Sequence, residues 1–129
     1  MSKINLCIDF DGTISEEPLG IFPLCGEMRE GADRVIRDLF ANDKFIISIW
    51  TCRTGIAEAN CKQFLREHDI PYHYFNEHSQ ESIEKYGTSE GKKISGIYID
   101  NLSLEWKLNG VPSWDQLEIM ILQLSHENI

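Results

Sequence analysis

Apolar positions along this chain follow two rhythms. In the first they form short continuous runs: residues 4–9 (INLCID), 45–50 (FIISIW), 72–75 (YHYF) and 96–99 (GIYI). Each run is bounded by turn-forming or polar residues, the pattern of short strands buried on both faces. In the second, apolar residues recur every three or four positions. Ala32, Val35, Ile36, Leu39 and Phe40 predict a helix ending at Asn42, and Ala57, Cys61, Phe64 and Leu65 predict one over about 55–68, with Pro71 beyond it. Pro112 and Ser113 introduce a last helix with Leu117, Met120, Ile121 and Leu124 on one face, and Ser113 and Gln116 have capping-box spacing. Residues 12–30, with Pro18, Gly20, Pro23 and Gly26, read as a loop. So does the polar stretch 76–93, with one helical turn near residues 82–86.

Strands alternating with helices predict an α/β fold, a Rossmann-like parallel sheet flanked by helices. The 129 residues suit a single domain and leave no room for a large cap, so cover for any site must come from the 14–30 and 76–92 loops. Disorder is not expected at 42% hydrophobic content, and no stretch approaches the roughly 20 apolar residues of a membrane helix. The N-terminal MSKINLCIDF lacks the pattern of a signal peptide. Cys7, Cys25, Cys52 and Cys61 are scattered without a CxxC pair, which points to reduced thiols and a cytoplasmic setting. A net charge of −9 disfavours nucleic acid and anionic membranes as partners; it suits a divalent cation, or simple solubility.

In a parallel sheet, sites form outside the carboxyl ends of the strands. The first strand ends at Asp9 in DFDGT, the second runs into Thr51, and the fourth ends at Asp100–Asn101. All of these residues then share one edge. Asp9, Asp11 and Asp100 would repel one another unless something positive sat among them, and Mg²⁺ is the economical choice. Lys93 can supply a second positive charge, Thr51 a hydroxyl, and Gly12 room for backbone N–H groups to approach an anion. Such a set suits a phosphoryl group, with one carboxylate as nucleophile and a second as acid and base.

With a hydrophobic strand before it, DFDGT resembles the first motif of the haloacid dehalogenase superfamily, in its phosphatase branch. IISIWT, ending in Thr51, is similar to the second motif, and KISGIYIDN, with Lys93 and Asp100, to the third and fourth run together. GVPSW at 110–114 resembles the tail of small single-domain, capless members. The resemblance covers nearly the whole chain. It implies that Asp9 attacks phosphorus to form an aspartyl-phosphate, and that Asp11 protonates the leaving group and then activates water. Thr51 and Lys93 would hold the phosphate. Mg²⁺ would bind the Asp9 carboxylate, the Asp11 main-chain carbonyl and the fourth motif. There this chain carries Asp100–Asn101 where members often have two acids. An amide oxygen can ligate a hard cation but brings no charge, and the sequence leaves open whether Asp100 or Asn101 is the direct ligand.

The expected activity is Mg²⁺-dependent hydrolysis of a phosphomonoester, with a phosphorylated small molecule as the first choice of substrate and a phosphate on something larger as the alternative that an open site would also suit. Its rivals are a non-catalytic phosphate- or metal-binding protein of the same fold, and a phosphotransferase. Plainer roles compete at several positions. Thr51 can cap the next helix, Lys92 rivals Lys93, and Arg53 either touches substrate or forms a surface ion pair. Cys7 and Cys61 are expected as small core residues, Trp50 and Trp114 as packing residues, and His73 and His78 as exposed side chains. No cysteine–arginine spacing fits a cysteine phosphatase, since Cys61 to Arg66 is one position short. GTSEGKK at 87–93 lacks the Ser/Thr of a P-loop.

Overall fold

A computed structural model describes residues 3–77, 80, 84 and 96–127. Strands β1 (Ile4–Asp9), β2 (Phe45–Trp50), β3 (Tyr74–Phe75) and β4 (Ile97–Ile99) form one sheet in the order β3-β2-β1-β4. Every pairing is parallel. The described helices are α1 (Ala32–Ala41), α2 (Gly55–Glu67), α3 (Leu104–Asn109) and α4 (Trp114–Glu127). This is the expected α/β architecture. The third strand is shorter than the YHYF run, because only Tyr74 and Phe75 reach the β2 ladder. Helix α3 was not foreseen; it is short, and none of its residues is buried.

Leu6, Cys7 and Ile8 are all buried, as are Phe45 to Ile49 along β2, so both faces of the central strands are covered. That burial explains why the runs are continuous rather than alternating. Helix α1 contributes Val35, Ile36 and Leu39 to the core, and α2 contributes Cys61, Phe64 and Leu65. Phe40, at the edge of the α1 stripe, is exposed and stacks on His73 with ring centroids 4.4 Å apart.

On α4 the buried line is Trp114, Leu117, Ile121 and Ser125, whereas Met120 and Leu124 are exposed. The sequence places the inner face too far round because the pattern does not reveal the anchor. Trp114 is fully buried at the helix start, and its position sets the helix rotation. Ser113 caps α4 as expected, accepting the Gln116 N–H at 3.3 Å. Arg34 of α1 ties the two helices together through Asp115 and Glu118.

Strand β1 has β2 on one side and β4 on the other. The chain reverses its direction of growth across the sheet there. The carboxyl ends of β1 and β4 therefore flank a topological switch point, where such sheets leave a crevice.

Candidate functional site

Residues 9–11 pass directly from the end of β1 into that crevice. Alternation along an extended chain puts neighbouring side chains on opposite sides. Phe10 turns inward, fully buried and edge-on to Phe64 at 5.3 Å, while Asp9 and Asp11 stay half-buried on the outer side. The chain then winds tightly, and the Phe10 carbonyl accepts the N–H groups of Thr13, Ile14 and Ser15 at 2.9–3.2 Å. Trp114 holds this turn from beneath, its indole N–H donating to the Thr13 carbonyl at 3.0 Å. Arg29 donates to the same carbonyl at 3.3 Å and to that of Pro112 at 3.1 Å. Trp114 is thus a core residue, as expected, and also a clamp on the acidic turn.

Asp9 and Asn101 meet over the Thr13 hydroxyl. Thr13 Oγ1 lies 3.5 Å from Asp9 Oδ2 and 3.4 Å from Asn101 Oδ1, and it accepts the Asn101 backbone N–H at 3.1 Å. One O–H proton serves only one acceptor at a time. Asn101 Nδ2 donates to Glu17 at 3.0 Å. A carboxylate accepts only, so Glu17 fixes the amide with its oxygen turned toward the Thr13 hydroxyl. Both side chains lie over Gly12, where an added Cβ would sit 2.3 Å from Asn101 Nδ2 and 2.5 Å from Glu17 Oε1. The glycine therefore admits this pair, and its φ of 83° also favours glycine. Asp100 forms a local turn, its Oδ1 accepting the Leu102 N–H at 2.9 Å.

Thr51 reaches the same edge, since Asp9 pairs in register with Trp50. Its backbone is gripped by the Asn76 amide, with Thr51 N donating to Asn76 Oδ1 at 2.8 Å and Asn76 Nδ2 donating to Thr51 O at 2.9 Å. The Thr51 hydroxyl accepts the Arg53 N–H at 3.2 Å and keeps its own proton to donate. It does not cap α2, whose N-cap is Thr54. Lys93, its rival Lys92 and His78 lie outside the described residues.

Arg53 is neither a surface ion pair nor an exposed substrate contact. It is 3% exposed, and its Nε and Nη2 each reach a different Asp11 oxygen at 2.8 Å. It also donates to the carbonyls of Pro23 (2.7 Å), Leu24 (3.1 Å) and Ala57 (3.2 Å). The bond to Asp11 pushes its pKa above the usual guanidinium value. No sequence pattern distinguishes a buried arginine of this kind from an ordinary exposed one. Glu17 and Asn76 were missed too; the acidic pair at 16–17, directly after DFDGTIS, was the only available signal. Cys7 and Cys61 are buried as expected, and burial drives the Cys61 thiol pKa up to about 12, which suits a core residue.

Among the described residues no group of three His, Cys, Asp or Glu side chains forms a metal cage. The Asp11 carboxylate is held by Arg53, and the Asp9 carboxylate, the Asp11 carbonyl, Asp100 and Asn101 bring further oxygens to this edge. Such a set of hard oxygens, poor in carboxylate, fits Mg²⁺, which binds one or two carboxylates and keeps several waters.

No protein-family model matches the sequence, and no curated protein matches it. A solved structure of a conserved protein from Bacteroides thetaiotaomicron superposes with a TM-score of 0.76 at 24% identity, over 95% of this chain and 92% of that one. At that identity the likeness extends to the fold alone.

Proposed function

We propose that this protein is a Mg²⁺-dependent phosphomonoester hydrolase similar to capless members of the haloacid dehalogenase superfamily. The observation that carries the reading is the convergence of Asp9, Thr13 and Asn101 at the switch point, with Asp11 on the same outer side and Thr51 at the end of the neighbouring strand. A site that only bound phosphate would have no use for a nucleophilic carboxylate beside a second one.

In this reading an Asp9 oxygen attacks phosphorus, the bond from phosphorus to the leaving oxygen breaks, and Asp11 gives that oxygen its proton. Water then attacks the aspartyl-phosphate, Asp11 takes a proton from it, and the bond between phosphorus and Asp9 breaks to release phosphate. Each Asp11 oxygen accepts one guanidinium N–H and keeps a second lone pair that can carry the transferred proton. The Thr51 hydroxyl donates to a phosphoryl oxygen. Asp9, the Asp11 carbonyl and the Asp100–Asn101 pair would hold Mg²⁺, which when bound neutralises phosphoryl charge among these carboxylates. Lys93 is proposed as the second cation.

Phosphate release from a panel of phosphomonoesters, with and without Mg²⁺, tests the reading. Turnover is expected only with the metal, and Asp9→Asn is expected to abolish it while thermal stability holds or rises. An Asp9→Asn variant as active as the native protein removes Asp9 as nucleophile. Phosphate appearing on an added alcohol instead of in water would favour the phosphotransferase reading.

A further inference from the structure

The loop that follows the acidic turn displays apolar side chains outward. Its base is a short antiparallel pairing: Ser15 bridges Met28, Glu16 N donates to Glu27 O at 2.7 Å, and Arg29 N donates to Ile14 O at 2.9 Å. The neck is tight, because a Cβ on Gly26 would lie 2.3 Å from the Glu16 carbonyl oxygen. Beyond it, residues 18–25 read PLGIFPLC, without a single charge. Leu19 (85%), Ile21 (45%), Phe22 (61%) and Leu24 (59%) are exposed. Four exposed large apolar side chains within six positions form a patch, where scattered single ones would need no explanation.

This patch is not on a loose strand. Turn hydrogen bonds run from Ile21 N and Phe22 N to Pro18 O, and from Leu24 N to Ile21 O. Arg53 and Asn60 both donate to Pro23 O, and Arg53 also donates to Leu24 O. The Arg53 guanidinium lies against two rings, 5.6 Å from the Phe10 centroid and 5.1 Å from that of Phe22. One buried side chain therefore joins Asp11 on one side to the apolar loop on the other. The leaving oxygen must approach Asp11 to receive its proton. Because the arginine that holds Asp11 also contacts the Phe22 ring and the Leu24 carbonyl, the loop at residues 18–24 borders that approach.

We infer that Phe22 and Leu24, with Leu19 and Ile21 beyond them, select phosphomonoesters whose leaving group is an apolar alcohol. This rests on the hydrolase reading above and adds a substrate class to it. A sugar or nucleotide leaving group would lose water against these side chains without gaining a hydrogen bond. A second anionic group would find no cation on the loop, and Arg53 is already committed to Asp11 and backbone carbonyls.

The test is kcat/KM for phosphate release, with Mg²⁺, from ethyl, butyl and hexyl phosphate, with glycerol phosphate as polar comparator. Each added methylene should raise kcat/KM about twofold, half of what complete burial would give at an open rim. Glycerol phosphate should fall below butyl phosphate. In Leu24→Ser the dependence on chain length should flatten, and Phe22→Ser, which also uncovers Arg53, should flatten it in parallel. A series independent of chain length, or glycerol phosphate as the better substrate, overturns the inference and leaves the hydrolase reading standing. No phosphate from any substrate overturns both. Sedimentation of native protein and Leu24→Ser supplies a last check: a native dimer that Leu24→Ser dissociates would assign the patch to self-association and overturn the inference.

Discussion

Asn101 donates its amide N–H to Glu17 at 3.0 Å and thereby turns its oxygen toward the Thr13 hydroxyl, which also lies 3.5 Å from Asp9 Oδ2. Residue 101 thus offers an acceptor to the crevice and a donor to the loop, which aspartate cannot do. Asn101→Asp is expected to add charge to the cation site and tighten Mg²⁺ binding about 10-fold, or ~1.4 kcal/mol. It should also lower apo stability by about 1 kcal/mol, because two carboxylates would then meet where a hydrogen bond had been. Adding Glu17→Gln should return the apo melting temperature, since the amide donor now sits at position 17. Calorimetric titration and melting curves read both effects. Unchanged affinity and melting in Asn101→Asp would make Asp100 the direct ligand.

Asp11→Asn tests the acid. A poor leaving group needs a proton and a good one does not, so the rate loss on an alkyl phosphate should exceed that on an activated aryl phosphate by at least about 10-fold. Equal losses would assign Asp11 to positioning the metal. Circular dichroism must accompany the kinetics, because the variant also disturbs both contacts to Arg53.

Arg53 should be among the most sensitive positions for stability. Arg53→Met leaves the half-buried Asp11 carboxylate unpaired and takes a donor from the carbonyls of Pro23, Leu24 and Ala57. A cost of about 3 kcal/mol is expected, read as a lowered urea midpoint. Arg53→Lys should recover only part of it, because a point charge cannot span both Asp11 oxygens and the loop carbonyls. Near-native stability of Arg53→Met would mean the loop is held by other contacts.

His73 makes stability depend on mild acid. Its Nδ1 accepts the Ile47 N–H at 2.9 Å, a bond that the imidazolium cannot keep. Burial, with the Lys3 charge as a smaller contribution, holds its pKa below the usual 6.5. The unfolded chain therefore takes up the proton first as pH falls. The His73 contribution is complete above about pH 6.5 and is lost as pH drops through the folded value. Melting temperature should decline across that window, and less so in His73→Gln. An equal decline in both proteins would move the effect to other groups.

Much of the architecture is legible along the chain because it depends on near neighbours. A run such as FIISIW can satisfy its side chains only between two covered faces, so β2 follows from composition and length. The α1 and α2 stripes match their buried residues for the same reason: period and propensity act within a few positions. Helix α4 departs from its stripe because a distant contact, Trp114 beneath the Thr13 carbonyl, sets its rotation.

The candidate site divides in the same way. The order of DFDGT, Thr51 and Asp100–Asn101 at strand ends determined by itself that these residues would share an edge, since parallel strands bring their carboxyl ends together. Only the tertiary structure decided what each side chain does there. Glu17 is 84 positions from the Asn101 amide it orients, and Arg53 is 42 from the Asp11 carboxylate it holds. Neither pairing leaves a periodic trace, because a hydrogen bond between distant segments depends on where the backbone has already been folded. The arginine's burial and the loop's outward apolar face are likewise properties of packing, in which a charged residue and a hydrophobic one have exchanged the places that composition alone would assign them.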